Sequence, residues 1–156
     1  MKKKKILVVD DEQDVRETLE SVLAKLEYDP IVAPGGKEAL EMIKNNKIDV
    51  VLSDLYMPEM DGIELLKRVK TENRNIVFLM ITAHPTIETA VDAIKKGAYD
   101  YLTKPFHIDE VKMKLNRALE KSGLTHSLTW ANGMIWALII SIPVWLILGI
   151  ILASML

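Results

Sequence analysis

The 156-residue sequence predicts an α/β domain, a five-stranded parallel sheet wound with helices on both faces, followed by one separate apolar helix. Two observations support this fold class. Short apolar runs alternate with stretches in which apolar residues recur every three or four positions, as in strands that alternate with amphipathic helices. In addition, every Asp, Glu, Lys and Arg lies at or before Lys121. Residues 122–156 are therefore a segment of a different kind.

Five predicted strands share an apolar composition that is typical of strands buried on both faces of a sheet. They cover residues 6–9, 28–33, 48–54, 76–81 and 99–103. Short connections and the right-handed crossover rule make the strands parallel.

Five predicted helices follow these strands, in the ranges 15–26, 37–46, 62–71, 86–96 and 108–119. Asp61 is placed to cap the third helix, and Gly97 is placed to end the fourth. We expect the fourth helix to bury the apolar residues Ile87, Ala90, Val91 and Ile94. We expect the fifth to bury Ile108, Val111, Leu115, Ala118 and Leu119.

Polar residues follow four of the predicted strands where those strands end. They are Asp10 and Asp11, Asp54, Thr82 and Lys104. Because parallel strands end at one edge of a sheet, where function is usually found, these residues should lie together. Taken singly, Asp54 could cap a helix, Thr82 could be a strand-end hydroxyl and Lys104 a solvated lysine. Their shared position favours a common site.

The chemistry of this set suits phosphoryl transfer. Clustered carboxylates repel one another unless a cation joins them, and oxygen ligands of this kind suit Mg²⁺. Asp11 and Asp54 are candidate metal ligands, and Asp54 is also the candidate nucleophile on phosphorus. Lys104 would neutralise charge on the phosphoryl oxygens, and the Thr82 hydroxyl would donate to one of them.

Four segments resemble the receiver domain of bacterial two-component response regulators. They are VVDD at 8–11, SDLYMPEMDG at 53–62, ITA at 81–83 and YLTKPF at 101–106. The resemblance covers residues 4–121, and the stretch 97–106 is most similar to receivers of the nitrogen-regulation type. It implies a flavodoxin-like fold with strand order 2-1-3-4-5.

The same resemblance assigns roles to individual residues. It implies that Asp54 is the phosphoacceptor, and that Asp10, Asp11, Asp54 and the main-chain carbonyl of Tyr56 bind Mg²⁺. It makes Thr82 and Tyr101 paired switch residues and Lys104 the residue that holds the phosphoryl group, with a cis peptide between Lys104 and Pro105.

Two side chains should tune the lifetime of the phosphoryl group. Tyr56 lies two residues after Asp54, and His84 lies two residues after Thr82. Neither offers a carboxylate or amide that would position an attacking water, so we expect slow autodephosphorylation.

Composition limits the remaining functions. The net charge of −2 gives no electrostatic case for nucleic-acid binding, and the absence of cysteine excludes disulfides and thiolate metal sites. No long apolar run follows the opening lysines, so we expect no signal peptide. The three histidines are scattered along the chain and do not suggest a metal site.

The uncharged end of the chain predicts a membrane anchor. Residues 134–156 would form a helix of about 35 Å at ~1.5 Å per residue, enough to cross a ~30 Å hydrocarbon core. The alternative is a buried helix of a soluble oligomer. Basic residues lie only on the receiver side, which predicts a single-pass inner-membrane protein with a cytoplasmic receiver.

A stripe containing Ala137, Ser141, Gly149 and Ala153 suggests a homodimer or a membrane-protein partner, although small residues are common in such helices.

The sequence as a whole therefore predicts a receiver (1–121), a linker (122–133) and a transmembrane helix (134–156). The predicted function is phosphoryl transfer to Asp54 from a histidine kinase or phosphotransfer protein, which changes partner or self contacts. We expect no turnover enzyme, no DNA-binding output domain and no nucleic-acid partner. Alternatives are a phosphorylation-independent membrane scaffold and, less favoured by the Asp10-Asp11-Glu12 run, a haloacid-dehalogenase-like phosphatase.

Overall fold

Five parallel strands form one sheet in the computed structural model, which describes residues 3–120. The strands are β1 (Lys5–Val9), β2 (Asp29–Ala33), β3 (Val50–Asp54), β4 (Val77–Thr82) and β5 (Asp100–Thr103). Their order is β2-β1-β3-β4-β5, and every neighbouring pair is parallel. The predicted doubly wound parallel sheet and its strand order are confirmed.

Helices connect these strands and start close to their predicted limits. They are α1 (Gln13–Lys25), α2 (Gly36–Asn45), α3 (Gly62–Glu72), α4 (Ile87–Lys95) and α5, which is described over 108–120. Asp61 caps α3 as predicted, since its side chain accepts a hydrogen bond from the Glu64 N–H at 2.7 Å. Gly97 follows α4 with a φ of 102°, which supplies the left-handed turn that ends a helix.

Two separate apolar cores cover the two faces of the sheet. Alternate strand residues point to opposite faces, so Leu7 and Phe78 belong to one core while Ile6 and Leu79 belong to the other. The first core packs beneath α2, α3 and α4, and the second beneath α1 and α5. Both faces of β1, β3 and β4 are therefore buried, which explains their uninterrupted apolar runs.

The predicted burial of α4 and of the start of α5 is wrong in part. Ile87 is 81% exposed, Val91 44% and Ile94 46%, whereas Ala93 is the one buried side chain of α4. Ile108, at the start of α5, is 52% exposed. The apolar stripe on α4 exists, but it faces away from the sheet. The helix packs on the sheet through Ala93, because this small side chain allows close approach. Periodicity finds an apolar stripe without showing what it contacts.

The predicted linker and transmembrane helix lie outside the described residues. Within residues 3–120, none of the helices is long and apolar enough to cross a membrane.

Candidate functional site

Strand register brings the predicted site residues together at one edge of the sheet. Val9 pairs with Ser53, so Asp10 and Asp54 end neighbouring strands side by side. Asp54 in turn pairs with Ile81, which puts Thr82 one residue beyond it on β4. Thr82 pairs with Thr103, and Lys104 follows directly, with its N–H donating to the Thr82 carbonyl at 2.8 Å. The predicted meeting of these residues is confirmed.

Three carboxylates form the centre of the site. Asp10, Asp11 and Asp54 each offer an oxygen, and these atoms lie within 4.8 Å of one another. Asp10 is fully buried and Asp54 is 6% exposed, while Asp11 faces solvent. One oxygen of Asp10, Oδ1, accepts the Glu12 N–H at 2.9 Å, which fixes the loop between β1 and α1.

Lys104 is the cation that holds this acidic cluster together. Its Nζ lies 2.7 Å from Asp10 Oδ2, 3.6 Å from Asp54 Oδ1 and 3.4 Å from Glu12 Oε1. Burial disfavours the ammonium, but the bond to Asp10 and the charge of Asp54 outweigh it and raise the pKa of Lys104. The peptide between Lys104 and Pro105 is cis, as the resemblance implied.

The environment of Asp54 disfavours its charged form. Burial raises the pKa of Asp54 from the usual 3.8 to about 6, and the charges of Asp10 and Asp11 act in the same direction. The Lys104 ammonium opposes this change without cancelling it. The site is therefore short of positive charge, and a divalent cation would restore the balance.

These residues fit a magnesium ion by the chemistry of their donors. Mg²⁺ prefers oxygen ligands and is commonly held by one or two carboxylates together with water and phosphate. The carboxylates of Asp10, Asp11 and Asp54, whose oxygens lie close enough to share one ion, would be its ligands here.

The predicted switch and lifetime residues surround this centre at different depths. Thr82 is 3% exposed, and its hydroxyl accepts the His84 N–H at 3.1 Å. Tyr101 is half-buried on β5 and lines, with Thr82 and Ala93, a small pocket beneath α4. Tyr56 is 54% exposed and His84 is also exposed, so both side chains are at the open rim of the site.

Sequence reasoning gave no role to two residues that build the site. Arg16 on α1 donates from Nη1 to the Asp10 carbonyl at 2.6 Å, and Glu12 contacts Lys104. Arg16 lies next to Val15, which belongs to the apolar stripe of α1. A basic residue beside a core-facing stripe, only a few positions after the acidic loop, is the signal in the sequence that could have identified it.

Gly62 explains how α3 can pack directly under the acceptor. A Cβ atom at this glycine would lie 2.3 Å from the Asp54 carbonyl oxygen and 2.8 Å from Met80 Sδ. Only a residue without a side chain permits this approach.

The five-stranded doubly wound sheet and the carboxylate–lysine edge are those of a response-regulator receiver. Residues 6–116 match the family model described as the response regulator receiver domain, and the chain belongs to that family. Receiver domains are phosphorylation-accepting signalling domains that interact with histidine kinases or phosphotransfer proteins, and they are not typical turnover enzymes.

Several relatives of the chain are regulatory proteins of greater length. Transcriptional regulatory protein ZraR of Klebsiella oxytoca is 43% identical over 122 residues, which is 78% of this chain and 28% of ZraR. Regulatory protein AtoC of Escherichia coli K12 is 40% identical over 116 residues, 74% of this chain and 25% of AtoC. The crystal structure of NtrX from Brucella abortus in complex with ADP matches 82% of this chain and 30% of NtrX, with 35% identity and a TM-score of 0.78. The chain spans about a quarter to a third of the length of these relatives.

Proposed function

We propose that this receiver accepts a phosphoryl group on Asp54 from a histidine kinase or phosphotransfer protein, in a Mg²⁺-dependent reaction that changes its contacts with a partner. The observation that carries the proposal is the position of Asp54, buried at the end of β3 and 3.6 Å from Lys104 Nζ. Two further carboxylates lie within 4.8 Å of it.

In the proposed reaction, an Asp54 oxygen attacks the phosphorus of a phosphohistidine. The new O–P bond makes an acyl phosphate, and the P–N bond breaks as the electron pair returns to the imidazole. A bound Mg²⁺ would neutralise charge on the phosphoryl oxygens. Lys104, which lies 2.7 Å from Asp10 Oδ2 and 3.6 Å from Asp54 Oδ1, would also neutralise this charge by moving toward the new anion.

The proposed readout uses Thr82 and Tyr101. A phosphoryl oxygen on Asp54 would attract the Thr82 hydroxyl, which at present accepts from the His84 N–H. Movement of Thr82 changes the pocket that Tyr101 lines beneath α4, so the local event reaches the surface of the domain. The main-chain carbonyl of Tyr56 is proposed as a further metal ligand.

Mg²⁺-dependent labelling with acetyl phosphate tests the phosphoacceptor. We expect the intact chain to be labelled, Asp54→Asn to remain unlabelled, and Asp11→Ala to lose the dependence on Mg²⁺. Asp14→Asn is a matched control, because it removes an exposed carboxylate from the first turn of α1. Undiminished labelling of Asp54→Asn would contradict the assignment. Absence of labelling in the intact chain would favour the phosphorylation-independent scaffold.

The proposal includes a membrane tether with the receiver in the cytoplasm. Its support is the uncharged stretch 134–156, together with the basic residues that precede it. The tail is also proposed to bring two copies, or one copy and another membrane protein, together. Extraction of cell membranes with alkaline carbonate tests the tether: the chain should remain in the pellet, and its release into the supernatant would refute this part alone.

A further inference from the structure

One edge of the sheet is rich in basic residues, opposite the edge that carries Asp54. Each of α1–α4 has an acidic residue in its first turn and a lysine in its last turn. Since these helices run antiparallel to the strands, their ends lie where the strands begin. Helix dipoles favour this arrangement, so it carries no inference alone.

Loop residues at the same edge are also basic, and helix dipoles do not account for them. Lys3, Lys4, Lys5 and Lys47 line one cleft around Asp49. We call this surface the lysine edge. It consists of Lys3, Lys4, Lys5, Lys25, Lys44, Lys47, Lys70, Arg74, Lys95 and Lys96. The acidic residues there are fewer, namely Glu27, Asp29, Asp49, Glu72, Asp92, Asp100 and Glu120. Asp92 forms an ion pair with Lys96.

Much of the positive charge on the lysine edge is unneutralised. Asp49 pairs with Lys4 at 3.1 Å, and Asp29 lies 3.5 Å from the Lys5 ammonium. Within residues 3–120, Lys25, Lys44, Lys47 and Lys95 have no carboxylate oxygen within 4.0 Å, and neither does Lys3. Lys44 and Lys47 are both exposed. Among the described residues, the edge therefore presents exposed ammonium groups that no carboxylate neutralises.

The last described residues of the chain lie at this same edge. Helix α5 begins after β5 at the site and runs back along the sheet to residue 120. A contact fixes this course, since the Tyr28 hydroxyl, directly before β2, donates to Asn116 Oδ1 at 2.9 Å. Helix α5 therefore reaches residue 120 at the lysine edge. The uncharged stretch 134–156 comes later in the sequence.

We propose that the lysine edge docks on anionic lipid headgroups and turns the acidic site toward the cytoplasm. The proposal rests on the membrane tether proposed above. Ammonium groups near an anionic bilayer are attracted to it, whereas the carboxylates of the opposite edge are repelled. Both forces favour the orientation in which Asp54 is open to a partner, and the tether holds the domain within reach of the surface.

Energy transfer from a single label to lipid-borne acceptors tests this orientation. The chain contains no cysteine, so one introduced thiol carries one fluorophore. Glu72→Cys labels the lysine edge at the end of α3, and Glu88→Cys labels the opposite edge at the start of α4. The full chain is reconstituted in phosphatidylcholine vesicles with and without phosphatidylglycerol. We expect phosphatidylglycerol to increase transfer from the Glu72 position only, and salt to abolish the increase.

Charge variants separate lipid docking from a general effect of charge. Lys44→Gln with Lys47→Gln should lose the increase, and Lys44→Arg with Lys47→Arg should keep it. Lys67→Gln with Lys112→Gln, which removes two exposed lysines away from the edge, should also keep it.

The outcomes distinguish the docking surface from the tether. If the chain resists carbonate extraction but transfer is the same in both kinds of vesicle, docking is refuted and the tether stands. If the chain is not held by vesicles at all, both are refuted. Equal loss in the two glutamine variants would also overturn the assignment to the lysine edge.

Discussion

Replacing the acceptor carboxylate with an amide should stabilise the fold when no divalent cation is present. Asp54 is 6% exposed, and burial raises its pKa from 3.8 to about 6. At ~1.36 kcal/mol per pKa unit, keeping this group ionised lowers the free energy of unfolding by about 3 kcal/mol. Asp54→Asn removes that charge and leaves Lys104 paired with Asp10 and Glu12. We expect a gain of about 1–3 kcal/mol at pH 8, because the buried amide also loses some hydration.

The pH dependence of this gain has a definite sign. Below pH 3.8 Asp54 is protonated in both the folded and the unfolded chain, and the gain is absent. Between 3.8 and about 6 the folded state retains the proton that the unfolded state loses, so the stability of the unsubstituted chain falls as pH rises. Above about 6 the penalty is fully present. The gain from Asp54→Asn should therefore grow between pH 4 and 7 and then remain constant.

Urea unfolding in EDTA, followed by circular dichroism, measures this gain. Tryptophan fluorescence is unsuitable because Trp130, Trp136 and Trp145 all lie beyond residue 120. Adding Mg²⁺ should stabilise the unsubstituted chain and reduce the difference, and Asp14→Asn controls for the loss of one negative charge. Equal stability of the two chains at pH 8 in EDTA, or a difference that grows toward acid, would refute the reasoning.

Three further changes probe the site and its support. Lys104→Ala should slow labelling by acetyl phosphate about 10²–10³-fold, because a cation 3.6 Å from Asp54 is lost. Lys104→Arg should be labelled faster than Lys104→Ala. Unchanged labelling of Lys104→Ala would contradict the proposed role of Lys104 in phosphoryl transfer. Tyr56→Asn combined with His84→Glu should speed decay of the phosphorylated form, measured after removal of the phosphodonor, and an unchanged decay rate would exclude shielding by these side chains. Gly62→Ala should lower the free energy of unfolding by about 1–3 kcal/mol in urea, because its Cβ would lie 2.3 Å from the Asp54 carbonyl oxygen; a neutral effect would show that α3 can shift freely.

Much of the fold was predictable because the strands are buried on both faces. Residues 6–9 and 50–54 are apolar up to a polar end, and the structure buries all of them. Such runs identify strands directly, and their polar ends identify the functional edge. The predicted strand ends lie within one residue of those observed for β2 and β4.

The surfaces of the helices were less predictable, since periodicity does not tell a core-facing stripe from an exposed one. On α3, Leu65, Leu66 and Val69 are buried as the pattern indicates. On α4, the equally periodic Ile87 and Val91 face solvent. The deciding residue is Ala93, whose small size lets the helix approach the sheet, and this depends on tertiary packing.

The site was predictable from strand ends, but its internal connections were not. Arg16 and Glu12 contact Asp10 and Lys104 through hydrogen bonds whose partners are six and ninety-two positions apart in sequence. Such contacts depend on side-chain rotamers and on the path of the loops, so the spacing of residues in the sequence does not predict them. The predicted tail remains a prediction, because it lies outside residues 3–120.

Helix α4 has a single buried side chain, so it is attached to the core less firmly than α3. Moving a helix costs free energy in proportion to the apolar surface that leaves the core, at about 25 cal/mol per Å². Helix α3 anchors itself with two leucines and a valine, whereas α4 engages the core through Ala93. Repositioning α4 therefore exposes little new apolar surface, while α3 stays fixed beneath Asp54. Helix α3 keeps the carboxylates in position, whereas α4 can move at a small cost in free energy. A signalling domain with two states needs both a fixed site and an element that can be repositioned.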